Sequence, residues 1–141
     1  LFTEPFVLAL PDKHPLSKQR TLGLNELEQQ HLLLLEEGHC MRDHALEACA
    51  LSGASEKEGF RATSLGTLRQ MVAAGVGITL LPMLAVKPPV PRSPHIKLLP
   101  FTKPAPTRKI ALFWRRSSVR EPFLKELGLQ LAKLPKSLFE M

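Results

Sequence analysis

Long apolar runs are missing from this 141-residue chain. Stretches such as Phe6 to Leu10, Leu32 to Leu35 and Ile78 to Met83, the last with its Thr and Pro, fall far short of the roughly 18 to 20 residues that a membrane-spanning helix requires. No segment is therefore expected to cross a bilayer, and no membrane partner is expected. Cysteine is scarce as well. Two cysteines in a chain of this length are too few for the disulfide framework of a small secreted domain. The opening residues, Leu1-Phe2-Thr3-Glu4-Pro5-Phe6, contain no initiator Met, no basic leader and no small-residue cleavage site. They read as a cut inside a longer protein whose compartment is the reducing cytoplasm. Acidic residues are sparse towards the C-terminus: residues 87 to 141 carry twelve Lys/Arg against three Asp/Glu, whereas residues 1 to 86 carry seven against ten. No nucleic-acid recognition motif accompanies this basic excess, so it reads as solvated surface or an interface rather than as a DNA reader.

What is present alternates between two periodicities. Phe6-Val7-Leu8-Ala9-Leu10 is a buried-strand run closed by Pro11 and the Asp12-Lys13-His14-Pro15 turn cluster. Leu22, Leu24 and Leu27 suggest a short helix, and His31 to Leu35 a strand. Helical spacing then runs from His39 to about Leu51, with Gly53 as its stop. Phe60 to Thr63 predicts a strand leading into a helix begun by Ser64 and ended at Gly75. Gly77 to Pro82 predicts the next strand. Strands alternating with helices of about ten residues imply an α/β fold with a mostly parallel sheet covered on both faces. Pro82 to Pro106 holds eight of the thirteen prolines, an irregular crossing interrupted by an edge-like strand at His95 to Leu99. Lys109 to Trp114 predicts a further strand. Val119 to Leu134 predicts an amphipathic helix with Phe123, Leu124, Leu127, Leu131 and Leu134 as its stripe.

Cys40 and Cys49 carry the chemistry that stands out. Nine positions apart on one regular helix, they are separated by about 13.5 Å of rise and about 900° of rotation, on opposite sides. A disulfide needs Cα atoms within roughly 7 Å, so bond formation here requires most of the helix to unravel. A thiol pair kept apart in the reduced fold, yet near enough in sequence to join after unfolding, is a two-state element of the kind a redox switch uses. Cys40 lies in the first helical turn, where free N–H groups favour negative charge, with His39 and Arg42 beside it. Cys49, among Ala48, Ala50 and Leu51, lacks such neighbours and reads as the resolving thiol. Two other readings stand beside this one. Free cysteines commonly just pack, and Cys40 with His44 makes a chelating pair at helical spacing, although no third or fourth ligand follows at customary intervals.

The stretch GHCMRDHALEAC, Gly38 to Cys49, resembles the redox segment of the OxyR-type peroxide sensors. FRATSLGTLRQMVAAGVGITLLPMLAV, Phe60 to Val86, is similar to the same family and, more loosely, to effector domains of LysR-type transcriptional regulators. The resemblance extends from Glu4 to about Leu134 and is strongest from Leu33 to Val86. It implies a Rossmann-like lobe of a two-lobed, periplasmic-binding-protein-like regulatory domain with the first lobe incomplete. Residues 1–107 would be the redox-sensing second lobe, 108–141 a strand and helix returning to the first, with a DNA-binding domain absent from this chain. It further implies a homo-oligomer, dimer or tetramer, that responds to hydrogen peroxide, is reset by a cellular dithiol, uses no cofactor or metal, and meets DNA only through the missing N-terminal domain. Cys40 matches the peroxide-reactive cysteine and Cys49 its disulfide partner. His39, Asp43 and Arg108 match residues around the thiolate, Arg108 in a proline-rich stretch displaced by one residue from the family pattern. Thr63 and Ser64 fall where LysR-type domains begin a pocket-lining helix. Two competing functions are a small-molecule effector domain with non-redox cysteines, and a thiol peroxidase. For the peroxidase the chain has no electron-donor motif, and it is expected not to be an enzyme.

Overall fold

The computed structural model describes residues 1–139. The five-residue apolar run near the N-terminus becomes the middle of a longer strand, β1 (Phe2–Pro11), in which Val7 to Leu10 are wholly buried. Such a run has no solvent face, and the molecule surrounds it: β1 pairs antiparallel with three other strands. Its first half faces β6 (Thr107–Ile110), and its second half lies between β4 (Thr79–Pro82) and β5 (Ile96–Pro100).

The second unit is a strand, helix, strand crossover. β2 (His31–Leu35) leads into α1 (Cys40–Ser52), which returns the chain to β3 (Ser55–Ala62), parallel to β2. α2 (Leu65–Ala73) then leads to β4. The two sheets meet where Leu33 N–H donates to Ile78 O (2.8 Å) and the buried Thr79 hydroxyl donates to Leu33 O (2.7 Å). Gly77 allows that approach, because a Cβ there would lie 3.1 Å from Leu33 Cγ. One continuous core results, with Phe6, Leu8, Leu10, Leu32, Leu33, Leu34, Leu80, Leu81 and Leu99 fully buried.

The α/β class holds, but the mostly parallel sheet does not. Helical crossovers impose parallel order only on the strands they link, here β2 and β3, with a parallel bridge from Leu32 to Ile78. β1 reaches β2 through two 3-10 turns, and β4 reaches β5 through the proline-rich segment, so neither connection enforces it. The short helix expected around Leu22 to Leu27 is a 3-10 helix at Leu24–Leu27. The strand expected to run to Trp114 ends at Ile110, leaving Phe113 89% exposed. The last helix, α3 (Glu121–Leu131), is shorter than its apolar stripe and buries none of its residues. Among the described residues no helix is long and apolar enough to cross a membrane.

Candidate functional site

α1 starts abruptly. Gly38 turns the chain with φ +88°, His39 stands at the N-cap without a side-chain capping bond, and Cys40 is the first helical residue, exposed. The helix then runs unbroken to Gly53, whose φ of 74° makes the left-handed stop expected of a C-terminal glycine. Both cysteines are free; Cys49 is buried. Burial, aided by the nearby Glu56 carboxylate, pushes the Cys49 thiol pKa up, so it is held as the neutral thiol. On this continuous helix the two sulfurs cannot meet, by the same rise and rotation that the spacing predicts.

The inner face of α1 is built of small groups. Met41, Ala45, Ala48, Cys49 and Ser52 are buried, while Leu46 and Leu51 are exposed. Alanine buries little area, so hydrophobic anchoring is modest. A polar tie supplements it. The buried Arg42 guanidinium donates to Glu56 through Nη1 (2.8 Å) and Nη2 (2.7 Å), and Nη1 also donates to Leu35 O (3.0 Å). Arg42, with Arg61 adding a 3.0 Å bond, holds the Glu56 carboxyl down at about 2. Arg42, expected beside the thiolate, is therefore committed to β3 and to the end of β2. Its planar fork matches the carboxylate two bonds to two oxygens, which a single sulfur does not offer.

Arg108 comes to the first turn of α1 instead. It stands opposite Glu4 in the β1–β6 register. Its Nε and Nη2 both reach Glu4 Oε1 at 2.6 Å, Glu4 Oε2 accepts from Leu84 N–H at 2.9 Å, and Nη1 lies 3.0 Å from Met41 Sδ. The structure thus brings Arg108 to Met41, the chain neighbour of Cys40; Cys40, His39 and Asp43 are exposed. Thr63 and Ser64 are not part of this group: both are exposed, and Ser64 caps α2 by accepting from Thr67 N–H at 3.1 Å. His44 turns a buried Nδ1 with no hydrogen-bond partner towards the core side of α1, its ring 6.4 Å from that of Phe6.

Glu4 and Glu56 are the residues that the sequence reading passed over. Glu4 was detectable, because it shares the inward face of β1 with Phe6, Leu8 and Leu10 at period two, and a carboxylate in such a row needs a buried cation. Glu56 carries no comparable local signal.

The sequence pattern of the LysR substrate binding domain matches residues 1–133. The chain belongs to that family. Among proteins similar to this LysR-type domain are the DNA-binding transcriptional dual regulator OxyR of Escherichia coli K12, 49% identical over 118 residues (84% of this chain, 38% of that protein), and a probable hydrogen peroxide-inducible genes activator of Mycobacterium avium, 42% identical over 138 residues (97% and 44%). The LysR-type domain described here thus spans about two-fifths of the length of these relatives. It also superposes on the crystal structure of reduced OxyR (TM-score 0.78, 43% identity, 92% of this chain and 59% of that one). The oxidised OxyR structure gives 0.76 at 46% identity, covering 92% and 60%. A Corynebacterium glutamicum OxyR variant gives 0.86 at 31% identity, covering 99% and 43%.

Proposed function

We propose that this chain is the redox-sensing part of the regulatory domain of a hydrogen-peroxide-responsive transcription regulator, switched by a reversible Cys40–Cys49 disulfide. The observation that carries the reading is the placement of an exposed thiol at the start, and a buried one near the end, of a single helix that must open before they join. The likeness to OxyR proteins in both redox forms supports it.

The Cys40 thiolate attacks one peroxide oxygen. An S–O bond forms, the O–O bond breaks, and hydroxide departs to be protonated by solvent, leaving a sulfenic acid at Cys40. The Cys49 thiol then attacks that sulfur and expels water as the disulfide closes. The sulfurs lose two electrons and the peroxide gains them. A cellular dithiol returns both thiols by exchange. Arg108 stabilises the departing oxygen, with His39 and Asp43 shaping the entrance to Cys40. One peroxide is consumed per switching event, which makes the chain a sensor and not a turnover enzyme. Residues 1–107 form the second lobe and 108–141 return to the first. Full-length subunits assemble as a cytoplasmic homo-oligomer and contact DNA through a separate N-terminal domain.

The test is peptide mapping by mass spectrometry of the full-length regulator after one equivalent of peroxide. A Cys40–Cys49 bridge is expected. Independent oxides on the two cysteines, with no bridge, would reject the switch.

A further inference from the structure

Glu4 is the only fully buried acidic side chain among the described residues, at 0% exposure. Desolvating a carboxylate is unfavourable unless it is paired and hydrogen-bonded, and an apolar residue, like its strand neighbours Phe6 and Leu8, would fill the position without that cost. Its bonds show what the charge accomplishes. Oε2 is fixed to the backbone by the Leu84 N–H, and Oε1 grips Arg108 along the Nε and Nη2 edge. A planar guanidinium held by that edge has its remaining nitrogen fixed in direction. Nη1 points at the first turn of α1, where it meets Met41 Sδ at 3.0 Å. A thioether is a weak acceptor, so this donor reaches the chain neighbour of Cys40 without being engaged by a strong partner.

We infer that Glu4 is the positioning residue for Arg108 in the peroxide step: by holding one edge of the guanidinium, it directs Nη1–H at the oxygen that leaves when sulfur attacks. The inference rests on the proposal that Cys40 reacts with peroxide. As the O–O bond breaks, the departing hydroxide accepts a hydrogen bond from Nη1 before taking its proton from solvent. A donor fixed in advance at a developing anion contributes to rate because it needs no reorganisation.

Two reactions of Cys40 separate this role from a structural or purely electrostatic one. Attack on peroxide expels hydroxide, which needs a donor; alkylation by iodoacetamide expels iodide, which does not. In the full-length regulator, Glu4→Gln is expected to slow peroxide oxidation of Cys40 by about tenfold or more, with the alkylation rate unchanged or raised. Arg108→Ala should slow the peroxide step as much, and adding Glu4→Gln to it should slow it little further, since both act through one donor. Glu4→Asp, which keeps the charge with a shorter reach, should fall between the parent and Glu4→Gln, and it carries the comparison alone if Glu4→Gln does not fold. A peroxide rate unaltered by either Glu4 variant overturns the inference. So do parallel losses in both reactions, which mark collapse of the site, and parallel gains, which mark Glu4 as a charge neutraliser only. If the parent protein forms no peroxide-dependent disulfide, the functional proposal fails and this inference with it. If the parent forms one and the Glu4 variants react as fast, only the positioning role fails.

Discussion

Arg42 and Glu56 meet in a two-pronged ion pair, 2.8 and 2.7 Å, that ties the first turn of the cysteine helix to the neighbouring strand β3. The same guanidinium reaches Leu35 O at 3.0 Å, so three elements converge on one side chain. Besides Arg42 itself, the helix it secures buries Met41, Ala45, Ala48, Cys49 and Ser52. In the proposed switch, stability and switching are therefore coupled: whatever weakens this tie frees the segment that has to unwind for Cys40 to reach Cys49.

Glu56→Gln leaves Arg42 with a neutral partner in a largely buried place. A cost of about 3 kcal/mol is expected, a drop on the order of 10 °C in the melting temperature of the reduced domain. Disulfide closure after Cys40 is oxidised should also be faster than in the parent, because less of the helix has to be broken. Calorimetry and quenched-flow alkylation measure the two effects, and an unchanged melting temperature with unchanged closure would contradict the coupling.

Acid should loosen the same tie. The Glu56 carboxyl is depressed to about 2 in the fold, first through its hydrogen bonds from Arg42 and then through Arg61. A depressed carboxylate contributes its full stabilisation above its unfolded pKa of about 4.3 and loses it as pH falls towards the folded value. Stability should therefore fall between about pH 4.5 and 2, and the Glu56→Gln protein should show a smaller decline over that range in urea titrations.

Cys49 is shielded in the reduced fold, both by burial and by a thiol pKa that burial pushes up. Iodoacetamide at neutral pH should label Cys40 well before Cys49, with Cys49 labelling rising as urea opens α1. Amides of α1 should exchange with deuterium faster than those of Val7 to Leu10, which lie inside the sheet. Cys49→Ser should leave Cys40 trapped as a sulfenic acid, detected by dimedone adduction. A Cys40–Cys49 bridge cannot form in that variant, so persistence of the full peroxide response would point away from this bridge as the signal.

Gly53 ends α1 at φ 74°, and a Cβ there would also lie 3.3 Å from Glu28 Cγ. Gly53→Ala should cost about 1 kcal/mol and fray the turn that contains Cys49. Urea denaturation reads the loss. Faster Cys49 labelling in native buffer would show that the fraying reaches the thiol.

Much of the local structure could be read from neighbouring residues. The helix expected from His39 to about Leu51 is observed at Cys40–Ser52, the Gly53 stop is in place, and Ser64 caps α2. These features depend on backbone preference and on contacts a few positions apart. The glycine stop of α2 is in place as well, since its C-cap is Ala74 and Gly75 follows at the next position with φ +77°. By contrast, the strand projected through Phe113 and Trp114 ends early. Its apolar pattern was correct, but no partner strand among the described residues pairs with it beyond Ile110.

The sequence by itself determined that Cys40 and Cys49 lie on one helix, nine residues apart, and therefore that an intact helix keeps them from bonding. Periodicity and the fixed rise of a helix suffice for that. Only the tertiary structure decided which cation serves which acid. Arg42, two residues from Cys40, goes to Glu56 on β3, whereas Arg108, far along the chain, is brought to Glu4 and to the sulfur of Met41. Proximity in sequence did not assign these partners, because strand register places Glu4 opposite Arg108, and a one-residue slip in that register would turn the two side chains to opposite faces.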